Sequence, residues 1–157
     1  MRLPYRMLLG VGIALLAIQL IPPARPDSGQ AVTRDIAQVY GMPENVRVLF
    51  KNACYDCHSD NTRYPWYFRV QPLGWWLTSH IEDAKAELNL SAFGAYSPRR
   101  RQSKLRGMVN SLQDGTMPLQ SYTLLHPAAR LSDAEKAEMI RWIRKAKASS
   151  GTSQEQP

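Results

Sequence analysis

Apolar residues recur along this chain at helical intervals, and nowhere do they alternate with polar ones for long enough to make a strand. From Pro43, a residue suited to the first turn of a helix, Val46, Leu49, Phe50 and Ala53 fall at i, i+3, i+4 and i+7. A second helix is predicted over Gly74 to Leu90. A third begins at Ser97 and Pro98, buries Leu105, Met108, Val109 and Leu112, and stops at Gly115. In the last, Ser132 and Glu135 form a capping box ahead of Met139, Ile140, Trp142 and Ile143. Between the first two helices, Ser59 to Pro72 holds two prolines and four aromatics without a period, which reads as a packed loop. The class expected is all-α.

The start of the chain differs from the rest. Arg2 and Arg6 precede a run from Met7 to Ile21 whose one polar residue is Gln19, the pattern of an export signal with its basic flank left in the cytoplasm. A run of 15 residues is long for a secretory core and short for a spanning helix, which takes about 20. The following PPARPD lacks a small-x-small cleavage site, which favours an uncleaved membrane anchor over a removed signal. A buried core helix would explain neither the basic flank nor the terminal position. Pro, Ser, Gly, Asp and Gln then dominate from Pro22 to Val32, as in an exposed tether. The organisation expected is a signal or anchor over 1–27, a tether over 28–42, one folded domain over 43–147 and a disordered tail over 148–157.

Charge adds a question about partners. The chain has 20 Lys plus Arg against 13 Asp plus Glu. Removing residues 1–27 takes away Arg2, Arg6, Arg25 and Asp27, so 17 basic and 12 acidic side chains remain in the rest. Arg99, Arg100, Arg101, Lys104 and Arg106 crowd the start of the third helix, where they are either a solvated helix start or a surface that steers an acidic redox partner. Nucleic acid is not expected, because the chain is read as leaving the cytoplasm.

The only two cysteines and one of the three histidines fall within CYDCH. Thiols three positions apart can each add to one vinyl group of a porphyrin, while the adjacent imidazole reaches the iron. On this reading Cys54 and Cys57 hold one haem c covalently and His58 is its proximal ligand. A zinc site needs four protein ligands, but there is no second cysteine pair, and His80 and His126 are distant in sequence. A thiol-disulfide exchange centre favours cysteines at a helix start on a βαβ scaffold, whereas here a helix precedes the pair. A structural disulfide across two residues would close a very small loop and add little stability.

The second axial position has several candidates. Met117, in DGTMPL with Pro118 stiffening the loop, is the first for the distal ligand, and a thioether there raises the reduction potential. Met108 lies on an apolar helix face and reads better as core. His80, four residues after Trp76, is the alternative distal ligand, with His126 behind it; an open site would suit peroxide or gas chemistry. Tyr64, Trp66 and Trp76, with Tyr67 and Trp75, are dense enough downstream of the cysteines to wall a macrocycle, although each alone reads equally well as an ordinary core aromatic. Arg63 or Arg69 could meet propionates. His58 is expected to donate its second ring N–H to a backbone carbonyl, sought in the segments around Pro65 and Pro72.

Taken together, CYDCHSDNTRYPWYFRVQPLGWWLTSHIEDAKAELNLS and DGTMPLQSYTLLHPAARLSDAEKAEMIRW resemble the bacterial haem-binding-domain family of small exported c-type cytochrome-like proteins, over roughly Pro43 to Ile143. The resemblance implies a helical cytochrome-c-like domain around one haem, with Cys54 and Cys57 as attachment points, His58 proximal and Met117 distal. The histidines of WWLTSH and LLHP depart from the simple mono-haem pattern. The function expected is electron transfer in the periplasm, on the outer side of the inner membrane, with a carrier rather than a catalyst in view. The alternative is a haem peroxidase or a gas or redox sensor with a displaceable sixth ligand.

Overall fold

Ser97 shows how local chemistry sets the helix boundaries. Its hydroxyl accepts from the Arg100 N–H, Pro98 takes the first turn, and the helix runs to Gln113, before Gly115 turns the chain at φ +67°. Ser132 and Glu135 cap each other reciprocally at the start of the last helix. Both starts agree with the sequence. A computed structural model describes residues 2–26 and 34–152, with side chains over 4–26 and 34–149, and every regular element among them is helical.

The α-helices are α1 (Arg2–Ala17), α2 (Ile36–Tyr40), α3 (Glu44–Ala53), α4 (Tyr55–His58), α5 (Leu73–Glu87), α6 (Pro98–Gln113), α7 (Gln120–Leu125) and α8 (Asp133–Thr152). Short 3₁₀ turns occupy Ile18–Leu20, Trp66–Arg69, Phe93–Ala95 and Pro127–Ala129. The main core joins α3, α6 and α8: Val46 and Phe50 meet Leu105, Val109 and Leu112, which meet Met139, Trp142 and Ile143. Phe50 and Trp142 pack edge to face at 5.4 Å. The Gln102 side chain donates to the Lys147 carbonyl at 2.7 Å, so the start of α6 lies beside the end of α8 and the two run antiparallel. A smaller cluster of Phe68, Leu77 and Ile81, with Tyr64 and Tyr67, joins the aromatic loop to α5.

Three boundaries differ from expectation. Residues 36–42 are not tether: Ile36 is fully buried and Met42 nearly so, while Asp35 caps α2 by accepting from the Ala37 N–H. The short apolar patch IAQVYGM was too brief to show a period, and burial against Leu90 and Phe93 supplies what propensity does not. The tether over 28–33 lies in the undescribed residues 27–33. Helix α8 continues through Thr152, so residues 148–152 are helical rather than tail; 153–157 lie outside the described residues. Helix α5 ends at Glu87, three residues earlier than expected, because Leu88 turns to extended backbone.

Helix α1 is 16 residues long and leaves Leu8, Leu16 and other apolar side chains exposed. Among the described residues, no helix is long and apolar enough to cross a membrane. The segment that follows is fastened to the domain. The Gln19 side-chain amide donates to the Gln71 carbonyl at 3.1 Å and its oxygen accepts the Gln71 N–H at 2.9 Å. Thr78 then donates to the Ala24 carbonyl at 2.8 Å, and Lys85 to that of Pro26.

Candidate functional site

The cysteine motif straddles a break between two helices. Helix α3 ends at Cys54, whose N–H still reaches the Phe50 carbonyl, and one turn of α4 begins there, with the His58 N–H on the Cys54 carbonyl at 2.9 Å. One helical turn puts Cys54 and Cys57 on neighbouring positions of the same face. Both thiols are free. Burial pushes the Cys54 thiol up to about 12, with the neighbouring Cys57 adding to it, and burial pushes Cys57 up to about 11. The pair therefore stays protonated at neutral pH, unlike the low-pKa thiolate of an exchange centre.

His58 is held from one side only. Its Nδ1 lies 3.0 Å from the Ala84 carbonyl and 3.0 Å from that of Leu88, at the C-terminal turn of α5. Two acceptors fix the proton on Nδ1 and leave Nε2 as a lone-pair donor, the arrangement that a metal-ligating imidazole requires. Burial lowers the His58 pKa, and the two carbonyls oppose that only in part, so the ring is neutral as a ligand must be. The expected carbonyl partner is present but comes from α5, not from the segments around Pro65 and Pro72. Spacing in sequence gave no sign that α5 would fold back over α4.

Cys54 and His58 line a cavity of about 290 Å³ together with Met108, Met117 and Met139. Phe50, Leu88, Leu90 and Leu112 make most of the remaining wall, and Glu87, Ser103, Lys104 and Gly107 its polar border. This is the concave, apolar enclosure with few polar groups that cofactors occupy. Met117 is 38% exposed at the cavity edge, where the Ser111 carbonyl holds its loop by accepting from the Thr116 and Met117 N–H groups at 3.1 and 3.3 Å. Met139 is fully buried on α8. Sequence periodicity had placed it in the core, and its second role as cavity wall follows only from the crossing of α8 behind α3.

The other candidates lie elsewhere. Tyr64, Trp66 and Trp76 do not line this cavity. Tyr64 packs on Phe68 at 4.4 Å, Trp66 is 80% exposed, and Trp76 stands half exposed with its ring 4.1 Å from His80. The proline-bounded loop carries Tyr64 toward the Leu77 and Ile81 face of α5, and Trp76 belongs to α5 itself. His80 is turned onto its own helix, with Nδ1 3.1 Å from the Trp76 carbonyl, and His126 stacks on Tyr122 at 4.0 Å. Neither histidine lines the cavity. Arg63 bonds to Asp56 and to the Lys51 carbonyl and does not line the cavity. Asp56, which the sequence did not single out, also accepts from the Tyr122 hydroxyl at 2.7 Å, so the residue between the cysteines is clamped from two sides. That bond raises the Tyr122 pKa, behind the larger effect of burial.

One oriented neutral imidazole, the Cys54 thiol and the Met117 thioether line an apolar cavity, with the Cys57 thiol three residues along but outside its lining, and this set fits haem. Among the described residues, no group of three or more His, Cys, Asp or Glu gathers to hold a bare metal ion. The family model described as a haem-binding domain matches residues 13–145. This chain belongs to the haem-binding domain family. Haem is its cofactor, and the helical scaffold agrees with the fold expected. Among curated proteins the chain is similar to cytochrome c peroxidase Ccp of Escherichia coli (strain K12), 31% identical over 117 residues, or 71% of this chain and 25% of that protein. The chain thus spans about a quarter of the length of this relative. No solved structure matches it.

Proposed function

We propose that this haem-binding domain is a mono-haem c-type cytochrome that transfers electrons in the periplasm. One observation carries the reading: the cavity that holds Cys54 and the bound-side-free His58 also holds Met117 on a separate loop. Cys54 and Cys57 hold the haem through thioethers, His58 Nε2 is the proximal ligand and Met117 the distal one. The haem supplies an iron that cycles between ferric and ferrous states. The chain's own residues do the rest. The Ala84 and Leu88 carbonyls keep the imidazole oriented, the methionine and leucine walls exclude water, and the Ser111 carbonyl holds the Met117 loop in place. A thioether ligand and the apolar wall of the cavity both favour the reduced state.

Export is supported by Arg2 and Arg6 ahead of the apolar run and by the exposed apolar side chains of α1, which need a lipid or protein cover. On this reading α1 holds the domain at the outer face of the inner membrane. A second reading, reduction of peroxide at a vacated distal position, is favoured by the name of the Escherichia coli relative and by the exposed, loop-borne position of Met117. Haem staining after denaturation tests covalent attachment. A low-spin ferric spectrum with a far-red thioether band supports the carrier, and a high-spin spectrum that changes at once with peroxide supports the second reading.

A further inference from the structure

The antiparallel packing of α6 on α8 gathers positive charge at one end of the molecule. Arg99, Arg100, Lys104 and Arg106 come from the first nine residues of α6, and Arg144, Lys145 and Lys147 from the second half of α8, beside them through the Gln102 contact to the Lys147 carbonyl. Neither stretch contains an acidic residue: none stands between Pro98 and Gln113, and none after Glu138 in α8. Arg101 is turned inward onto the Gly94 carbonyl and belongs to the scaffold. Glu87 reaches this end from α5, paired with Lys104 at 2.6 Å and lowered in pKa chiefly by that bond.

This end borders the haem cavity. Glu87, Ser103, Lys104 and Gly107 form the cavity's polar rim, and Arg100 lies one turn before Lys104 on the same side of α6. The segment after α1 follows α5 as far as Lys85, but the clasp next to α1 is at the far end: Gln19 holds Gln71, just before α5 begins, whereas Glu87 is its last residue. At about 1.5 Å per residue, the length of α5 separates the two by roughly 20 Å. The C-terminal end of α1 therefore lies away from the basic end, which favours an acidic protein over an anionic membrane as its occupant.

We propose that this basic end is the docking surface for an acidic redox protein, which it seats over the mouth of the haem cavity. The proposal rests on the electron-transfer reading for its purpose, but not for its binding. Seven cations come from two adjoining helix ends, one of them, Lys104, in the cavity lining, and a field of one sign over a cleft raises association rates by about 10 to 1,000-fold. Long-range attraction of this kind acts on the on-rate and is screened within about 10 Å at 0.1 M salt.

The test uses the full haem-loaded chain with a small acidic flavodoxin as probe, and vesicles of phosphatidylglycerol as the competing surface. Flavodoxin hydroquinone gives one electron to the ferric protein and becomes the semiquinone, so stopped-flow absorbance reports the rate. Complex formation is measured separately by anisotropy of labelled, oxidised flavodoxin. The double variant Arg99→Glu, Arg144→Glu should lower both affinity and second-order rate by about tenfold or more at low salt, and the difference should shrink at high salt. Arg47→Glu, a control on α3, should change neither much. Equal losses in the control, or unchanged affinity in the double variant, overturn the proposal. Vesicle binding that depends on Arg99 and Arg144 while flavodoxin binding does not overturns it in favour of a lipid. If anisotropy shows the expected dependence but no electron passes, the docking surface stands and the electron-transfer reading fails.

Discussion

The Nδ1 atom of His58 lies 3.0 Å from the Leu88 carbonyl, and two residues on, the Leu90 N–H returns a bond to the His58 carbonyl at 2.7 Å. Side chain and backbone of the same histidine are thus held by one stretch of chain at the end of α5. The ring cannot rotate without breaking its contacts to the Ala84 and Leu88 carbonyls.

Replacing His58 by Gly should leave these carbonyls in place with nothing to hold. Added imidazole should then enter, donate to Ala84 and Leu88, and restore a six-coordinate low-spin spectrum. A variant whose haem spectrum ignores imidazole would remove His58 from the axial position.

Two methionines of one cavity should separate into different roles. Met139 is fully buried, so Met139→Ala should cost about 2–5 kcal/mol in denaturant unfolding. Met117 is 38% exposed, so Met117→Ala should cost about 1 kcal/mol or less yet abolish the far-red thioether band. Loss of that band in Met139→Ala alone would move the distal ligand to α8.

Two glycines should respond in opposite directions. A Cβ at Gly74 would collide with the Phe68 carbonyl oxygen, where backbone must shift, so Gly74→Ala should destabilise the fold by about 1–3 kcal/mol. A Cβ at Gly107, inside α6, meets no protein atom within 4 Å, and Gly107→Ala should gain about 0.5–1 kcal/mol in helix propensity. Urea midpoints check both. A loss in Gly107→Ala that appears only with haem bound would mark the point where the macrocycle touches α6.

The Ser132 cap predicts a pH dependence. Hydrogen bonds from the Ser132 hydroxyl and N–H hold the Glu135 carboxyl below its ordinary value of 4.5. A depressed carboxylate contributes stability above its unfolded pKa and loses it as pH falls through the folded one. The Tm advantage of the wild type over Ser132→Ala should therefore be full at pH 7 and narrow below about pH 4.5. A constant gap across that range would show that the ionised carboxylate contributes nothing.

Much of this was legible because the signals are local. Ser97 and Ser132 announce caps within four residues of themselves, and CYDCH carries its chemistry inside five. Met117 could be picked out because a thioether in a Gly and Pro bounded loop is not where core methionines stand. What stayed hidden depends on crossings between distant segments. No pattern around Leu88 says that its carbonyl will meet His58, and nothing in DAEKAEMIRW distinguishes Met139 as cavity wall from Met139 as filler. The aromatic loop misled for the same reason. Tyr64, Trp66 and Trp76 follow Cys57 in sequence, yet Tyr64 packs on the Leu77 and Ile81 cluster, Trp66 is exposed and Trp76 packs on His80, and proximity along the chain is a poor guide once a proline-bounded loop reverses direction.

The reciprocal amide pair of Gln19 and Gln71 sits upstream of everything read as linker. A domain on a slack leash sweeps a hemisphere and meets partners at many angles. One clasped at Gln19 is closer to a fixed post: it moves across a surface only as fast as its footing drifts, and it presents the same side outward at every encounter. On the anchoring proposed for α1, such a molecule would give up reach for aim, and its encounters would be governed by traffic in two dimensions.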